Sequence, residues 1–90
     1  MIHMVDCGGQ YLDGTTDLSR TFHFGTPTTL EKEAHSIVLL AVLDFERLRW
    51  PANTLTGRAF DVLVRRRFWE KGRDYEHFTG HGVGHFLGVV

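Results

Sequence analysis

The stretch Val5-Asp6-Cys7-Gly8-Gly9-Gln10-Tyr11-Leu12-Asp13-Gly14-Thr15-Thr16-Asp17 holds two aspartates ten residues apart around a run of turn formers. Its flanks, Ile2 to Cys7 and Leu18 to Phe24, are rich in β-branched and aromatic residues and read as strands. Gly8-Gly9, Tyr11-Leu12 and Asp13-Gly14 between them make the connection an antiparallel hairpin. A hairpin symmetric about Tyr11/Leu12 sets Asp6 opposite Asp17. Directly opposed residues hold their Cβ atoms ~4.5–5.5 Å apart, where like charges repel and a cation between them reverses the sign. Asp13, in Asp13-Gly14, reads as a turn residue, and Cys7 as a small apolar filler of its strand.

Downstream, Thr28-Thr29-Leu30-Glu31 has the pattern of a capping box, following Gly25 and Pro27, which break the strand. Leu30, Ala34, Ile37, Val38, Ala41, Phe45 and Leu48 then recur at helical spacing, predicting a helix from Thr29 to Arg49. Leu39, Leu40 and Leu43 fill neighbouring faces, so its middle is expected to be covered on more than one side. Pro51 and Asn53 interrupt the pattern. A second helix is expected over 57–71, with Phe60, Leu63, Val64 and Phe68 inward and Gly72 as its C-terminal cap. Arg65-Arg66-Arg67, on that helix, reads as a solvated face.

Thr79 to Val90 alternates small, apolar and histidine residues and reads as a strand or loop-strand, because Gly80, Gly82 and Gly84 disfavour a helix. In a strand, His77, His81 and His85, spaced by four, share one face. The order hairpin, helix, helix, strand predicts an α+β arrangement with the helices on one face of an antiparallel sheet.

Composition narrows the function. Ninety residues, 42% of them hydrophobic, make one small domain; such a chain hides only ~60–65% of its unfolded surface. A net charge of −1 argues against nucleic acid or a polybasic membrane contact. A single cysteine excludes a disulfide framework and fits a reducing compartment. The best apolar run, Ile37 to Leu43, is too short to span a bilayer, and no signal pattern opens the chain, which makes the cytoplasm the expected location. Carboxylates with an imidazole suit Mn, Co, Fe or Zn. Gly82-Val83-Gly84 lacks the third glycine and following helix of a dinucleotide loop.

Val5 to Tyr11, Asp13-Gly14-Thr15-Thr16-Asp17-Leu18-Ser19-Arg20-Thr21 and Phe24-Gly25-Thr26-Pro27, followed by His77-Phe78-Thr79-Gly80-His81-Gly82-Val83-Gly84 with Phe86-Leu87-Gly88-Val89, resemble the Xaa-Pro aminopeptidases (aminopeptidase P). These are metallopeptidases of the pita-bread fold, related to prolidase, methionine aminopeptidase and creatinase. The resemblance covers residues 1–90 but only part of a pita-bread catalytic domain, whose N-terminal half and downstream glutamate-bearing strands lie outside the ninety residues.

By this resemblance Asp6 ligates one metal, Asp17 bridges two and His81 ligates the other. His77 is implied as the histidine beside the substrate, near the scissile bond or proline pocket. No role carries onto His85; Arg20 is implied as structural. Val90 stands where the family has a further histidine. The implied reaction is hydrolysis of an N-terminal Xaa-Pro bond by a hydroxide activated at a dinuclear centre, with manganese first and cobalt, zinc or iron as alternatives. The implied partner is a peptide with proline second, with a homo-oligomer of the full-length enzyme left open. With three of five ligands present, the ninety residues alone are expected to bind at most one metal weakly and to be inactive. Two other readings stay open, a non-catalytic pita-bread protein-binding module and a sister enzyme such as prolidase or creatinase.

Overall fold

The computed structural model describes all ninety residues, Met1–Val90. They form two compact units, one of residues 1–27 and 80–90 and one of residues 28–79.

In the first unit, β1 (Ile2–Cys7) pairs antiparallel with β4 (Leu18–His23), and the short β2 (Gln10–Tyr11) with β3 (Gly14–Thr15). Both ladders keep one register, with Ile2 opposite His23, Cys7 opposite Leu18 and Tyr11 opposite Gly14. The tip is therefore the two-residue loop Leu12-Asp13, and the turn is centred one residue later than a symmetric reading about Tyr11/Leu12 places it. Gly8 is required where the hairpin narrows, because a Cβ there would lie 1.9 Å from the Thr16 carbonyl oxygen. The amide of Gly9 donates to Thr16 Oγ1 at 2.8 Å, and the amide of Thr16 returns a bond to the Gly9 carbonyl at 2.9 Å. Cys7, expected as a small apolar filler of its strand, does lie in β1 but is exposed.

Residues 79–90 do not form the expected C-terminal strand. Instead they close a tight turn in which the Gly88 amide donates to His85 O at 3.1 Å and the Gly84 amide to Val89 O at 2.9 Å. Phe86 and Leu87, at its centre, take the left-handed values φ 44° and 67°. Their successive amides point the same way and donate to Asp13 O (2.9 Å) and Leu12 O (3.1 Å), while Gly88 O accepts from the Thr15 amide (3.1 Å) and Leu87 O from Thr15 Oγ1 (2.7 Å). Backbone groups that a strand would satisfy laterally are satisfied end-on against the hairpin tip, and this competing set of bonds displaces the strand.

In the second unit, α1 (Thr29–Arg47) and α2 (Gly57–Trp69) form a helical hairpin. The capping box forms as its sequence predicts: Thr28 Oγ1 accepts from the Glu31 amide (3.2 Å) and Glu31 Oε2 from the Thr28 amide (2.6 Å). At the other end of α2, Gly72 at φ 65° allows a Schellman closure, with the Arg73 amide on Phe68 O and the Gly72 amide on Trp69 O. The helices end at Arg47 and Trp69, two residues short of the boundaries expected at each C-terminus.

Ile37 and Ala41, one turn apart on α1, are the buried core. Burial of a side chain the size of Ile37 contributes ~1.5–3 kcal/mol. Phe60 of α2 meets Phe45 (5.3 Å between ring centroids) and Trp50 (4.7 Å) edge to face. Arg67 donates to Asp44 at 2.6 Å across the two helices; as an exposed pair it adds little beside the apolar contact. Val38, Leu39, Leu40 and Val42 remain about half exposed, so within this chain α1 is covered on one side and not on several. No helix is long and apolar enough to cross a membrane.

Candidate metal centre

Asp17 occupies the two-residue step between the ladders, just ahead of β4, and His81 sits between Gly80 and Gly82 in the segment that returns to the hairpin. The two side chains meet: His81 Nε2 is 2.9 Å from Asp17 Oδ2. His81 Nδ1 lies 2.7 Å from Gly82 O. Since a carbonyl only accepts, Nδ1 carries its proton and Nε2 is the nitrogen presented to the carboxylate. The Gly82 carbonyl, and after it the Asp17 carboxylate, raise the His81 pKa above the ordinary histidine value. The raised pKa widens the pH range over which Nε2 carries a proton facing Asp17.

That arrangement also fits a shared cation. Two donors to one ion must stand close together, and a carboxylate beside an imidazole is a donor set that divalent transition metals take. A backbone carbonyl on the far ring nitrogen is the usual means of fixing the tautomer of a ligating histidine. Asp17 and His81 therefore suit a metal as a two-donor pair.

Asp6 does not complete a triad. It stands opposite Ser19, not Asp17, because the turn is centred between Leu12 and Asp13. In the common register Asp17 faces Gly8, leaving Asp6 on the diagonal, where partners are typically ~7–8 Å apart. No group of three His, Cys, Asp or Glu side chains converges anywhere in the chain.

His77 lies in the helical unit, exposed, in the loop after α2. Its Nδ1 is 2.7 Å from Phe78 O, and its ring stacks on Tyr75 at 4.7 Å between centroids and 28° between planes. His85 is exposed at the start of the left-handed turn. The shared strand face expected of His77, His81 and His85 does not form, since residues 79–90 contain no strand. Arg65 was not distinguished by sequence from Arg66 and Arg67, yet it differs from both: its side chain is only 16% exposed, against 73% for Arg66 and 40% for Arg67. The available signal was its i,i+4 spacing from Asp61, which the structure realises as a salt bridge at 3.0 Å.

The profile of metallopeptidase family M24 matches residues 1–89. Xaa-Pro aminopeptidase 2 of Mus musculus is 52% identical over 88 residues, covering 98% of this chain and 13% of that protein. A probable Xaa-Pro aminopeptidase P of Aspergillus flavus matches to the same extent, and Xaa-Pro aminopeptidase 2 of Homo sapiens is 49% identical over 88 residues. The chain thus spans about 13% of the length of these relatives.

Proposed function

The chain belongs to metallopeptidase family M24, and from that premise we propose that it carries part of the metal centre of an Xaa-Pro aminopeptidase. The observation that carries the reading is the His81 Nε2–Asp17 Oδ2 contact at 2.9 Å, with Nδ1 tied to Gly82 O. Asp17 and His81 are the residues that would hold a divalent ion; Asp6, which the family resemblance implies as a further ligand, stands on the diagonal of the same hairpin and does not converge with them here. Carboxylate and imidazole donors suit manganese, cobalt, zinc or iron, and the family resemblance makes manganese the first candidate. A divalent ion, when bound, supplies Lewis acidity toward a peptide carbonyl and acidifies water.

The protein's own contributions are separate from that chemistry. Gly82 O orients the His81 ring, and the hairpin fixes Asp17 against it. His77, with Nδ1 on Phe78 O, keeps Nε2 for a peptide substrate, where it steadies the bond preceding proline. On this reading the ninety residues alone bind one ion weakly and do not turn over an Xaa-Pro peptide.

The test is a chimera in which this chain's matched residues replace the corresponding 88 residues of the mouse relative. The metal-loaded chimera should cleave an Xaa-Pro peptide, and Asp17→Asn or His81→Ala should abolish cleavage. His77→Ala should lower kcat by ~100- to 1000-fold, the usual loss for one polar group at the reacting carbonyl. A folded, metal-loaded chimera without activity would overturn the proposal.

A further inference from the structure

Arg65 of α2 makes five hydrogen bonds inside the helical unit. Nε donates to both oxygens of Asp61 at 3.0 Å; Nη1 donates to Asp74 Oδ1 at 2.7 Å and to Tyr75 O at 2.6 Å; Nη2 donates to His77 O at 3.0 Å. The guanidinium carbon also lies 4.0 Å from the centroid of the Tyr75 ring, the ring on which the His77 imidazole stacks. Tyr75 Oη meets Thr79 Oγ1, and Thr79 Oγ1 donates to Asp61 Oδ1, closing the circuit back to Arg65. The loop from Asp74 to Thr79 is thus held at its backbone, its rings and its far end by one side chain and its partners.

We propose that Arg65 is a positioning residue that sets the orientation and tautomer of the His77 imidazole; this rests on the assignment of His77 to the substrate side of an Xaa-Pro aminopeptidase. Only a planar fork reaches two carboxylates and two carbonyls at once, which a lysine ammonium cannot do. With the backbone held at Tyr75 O and His77 O, the imidazole is placed on the Tyr75 ring and its Nδ1 on Phe78 O. The Nδ1 proton is then fixed on Phe78 O, which leaves Nε2 as the ring nitrogen available to a substrate. The carboxylates facing the guanidinium stay ionised: a hydrogen bond from Thr79, then Arg65, holds Asp61 below the ordinary range, and the Trp69 indole, the Tyr75 amide and Arg65 do so for Asp74.

The experiment is nitrogen-15 NMR of the histidine rings in the ninety-residue chain, as wild type, Arg65→Met and Arg65→Lys, with helical circular dichroism beside it. Wild type should show His77 in one Nδ1–H form. Both variants should shift its nitrogen resonances toward the Nε2–H form a free side chain prefers, while the His81 signals hold. Arg65→Lys keeps a positive charge and removes the fork, so loss of the tautomer signature in a helical Arg65→Lys chain separates positioning from charge neutralisation.

An unchanged His77 signature in either helical variant overturns the proposal, as does an averaged tautomer in wild type. Loss of helix in both variants also overturns it, since Arg65 then serves stability alone. If His77 proves dispensable for cleavage in the chimera while its tautomer still depends on Arg65, the substrate role fails and the positioning stands.

Discussion

His81 Nε2 and Asp17 Oδ2 lie 2.9 Å apart although 64 positions separate them in the chain. Here a proton lies between them, and a divalent ion held by the same pair would require that proton to leave first. Proton and metal would therefore compete for His81 Nε2. A single Mn(II) per chain is the expected stoichiometry, with affinity rising as pH is raised through the His81 titration and lost in Asp17→Asn. Electron paramagnetic resonance of free Mn(II) at several pH values measures both; binding indifferent to Asp17→Asn would count against the pair.

The raised His81 pKa fixes the sign of a stability effect. A group whose folded pKa exceeds its unfolded value stabilises the fold in its protonated form. The His81–Asp17 contribution is fully present below the ordinary histidine value while Asp17 remains ionised, and it disappears as pH rises through the raised value. Wild type should therefore exceed Asp17→Asn in thermal stability on the mildly acidic side and match it on the alkaline side. His81 should also titrate at lower pH in Asp17→Asn, which proton NMR of the ring reads directly.

Gly8→Ala drives a methyl group into backbone, with Thr16 O at 1.9 Å and Thr16 C at 3.0 Å from the new Cβ. Neither atom is the end of a flexible side chain, so the strands must part where Gly9 and Thr16 exchange hydrogen bonds. A loss of ~1–3 kcal/mol is expected, as for overpacked sites generally. Asp17 follows Thr16 directly, so the His81 ring resonances should move as well. Urea unfolding and the exchange rate of the Thr16 amide measure the effect; wild-type values for both would refute it.

Thr28→Ala removes the hydroxyl that accepts from the Glu31 amide. The expected cost is ~0.5–2 kcal/mol, with Thr28→Ser restoring most of it. Circular dichroism during thermal unfolding follows the helical unit, and an Ala variant as stable as the Ser variant would show the cap to be idle.

What could be read in advance follows the range of the interactions. The capping box was legible because Thr28 and Glu31 are three residues apart and satisfy each other. The α1–α2 hairpin was legible from the spacing of Ile37, Ala41 and Phe45 against Phe60. The Asp6–Asp17 pairing was misread because Tyr11-Leu12-Asp13-Gly14 supports more than one turn centre, and Gly14 takes the strand position opposite Tyr11. The C-terminal strand was misread because its alternating pattern is silent about the hairpin tip, whose carbonyls capture Phe86 and Leu87. Arg65 was hidden because three adjacent arginines look alike until their partners at Asp74, Tyr75 and His77 are in place. The Asp17–His81 pair was expected only through family resemblance, since no local rule joins residues so far apart.

The first unit is assembled from both ends of these ninety residues, with the helical unit inserted between. On a ribosome this separates the order of synthesis from the order of folding. The hairpin emerges early, yet the carbonyl that accepts from Thr15 Oγ1 belongs to a residue made 72 positions later. The helical pair, whose contacts span shorter loops and carry less closure entropy, can finish before the segment translated ahead of it.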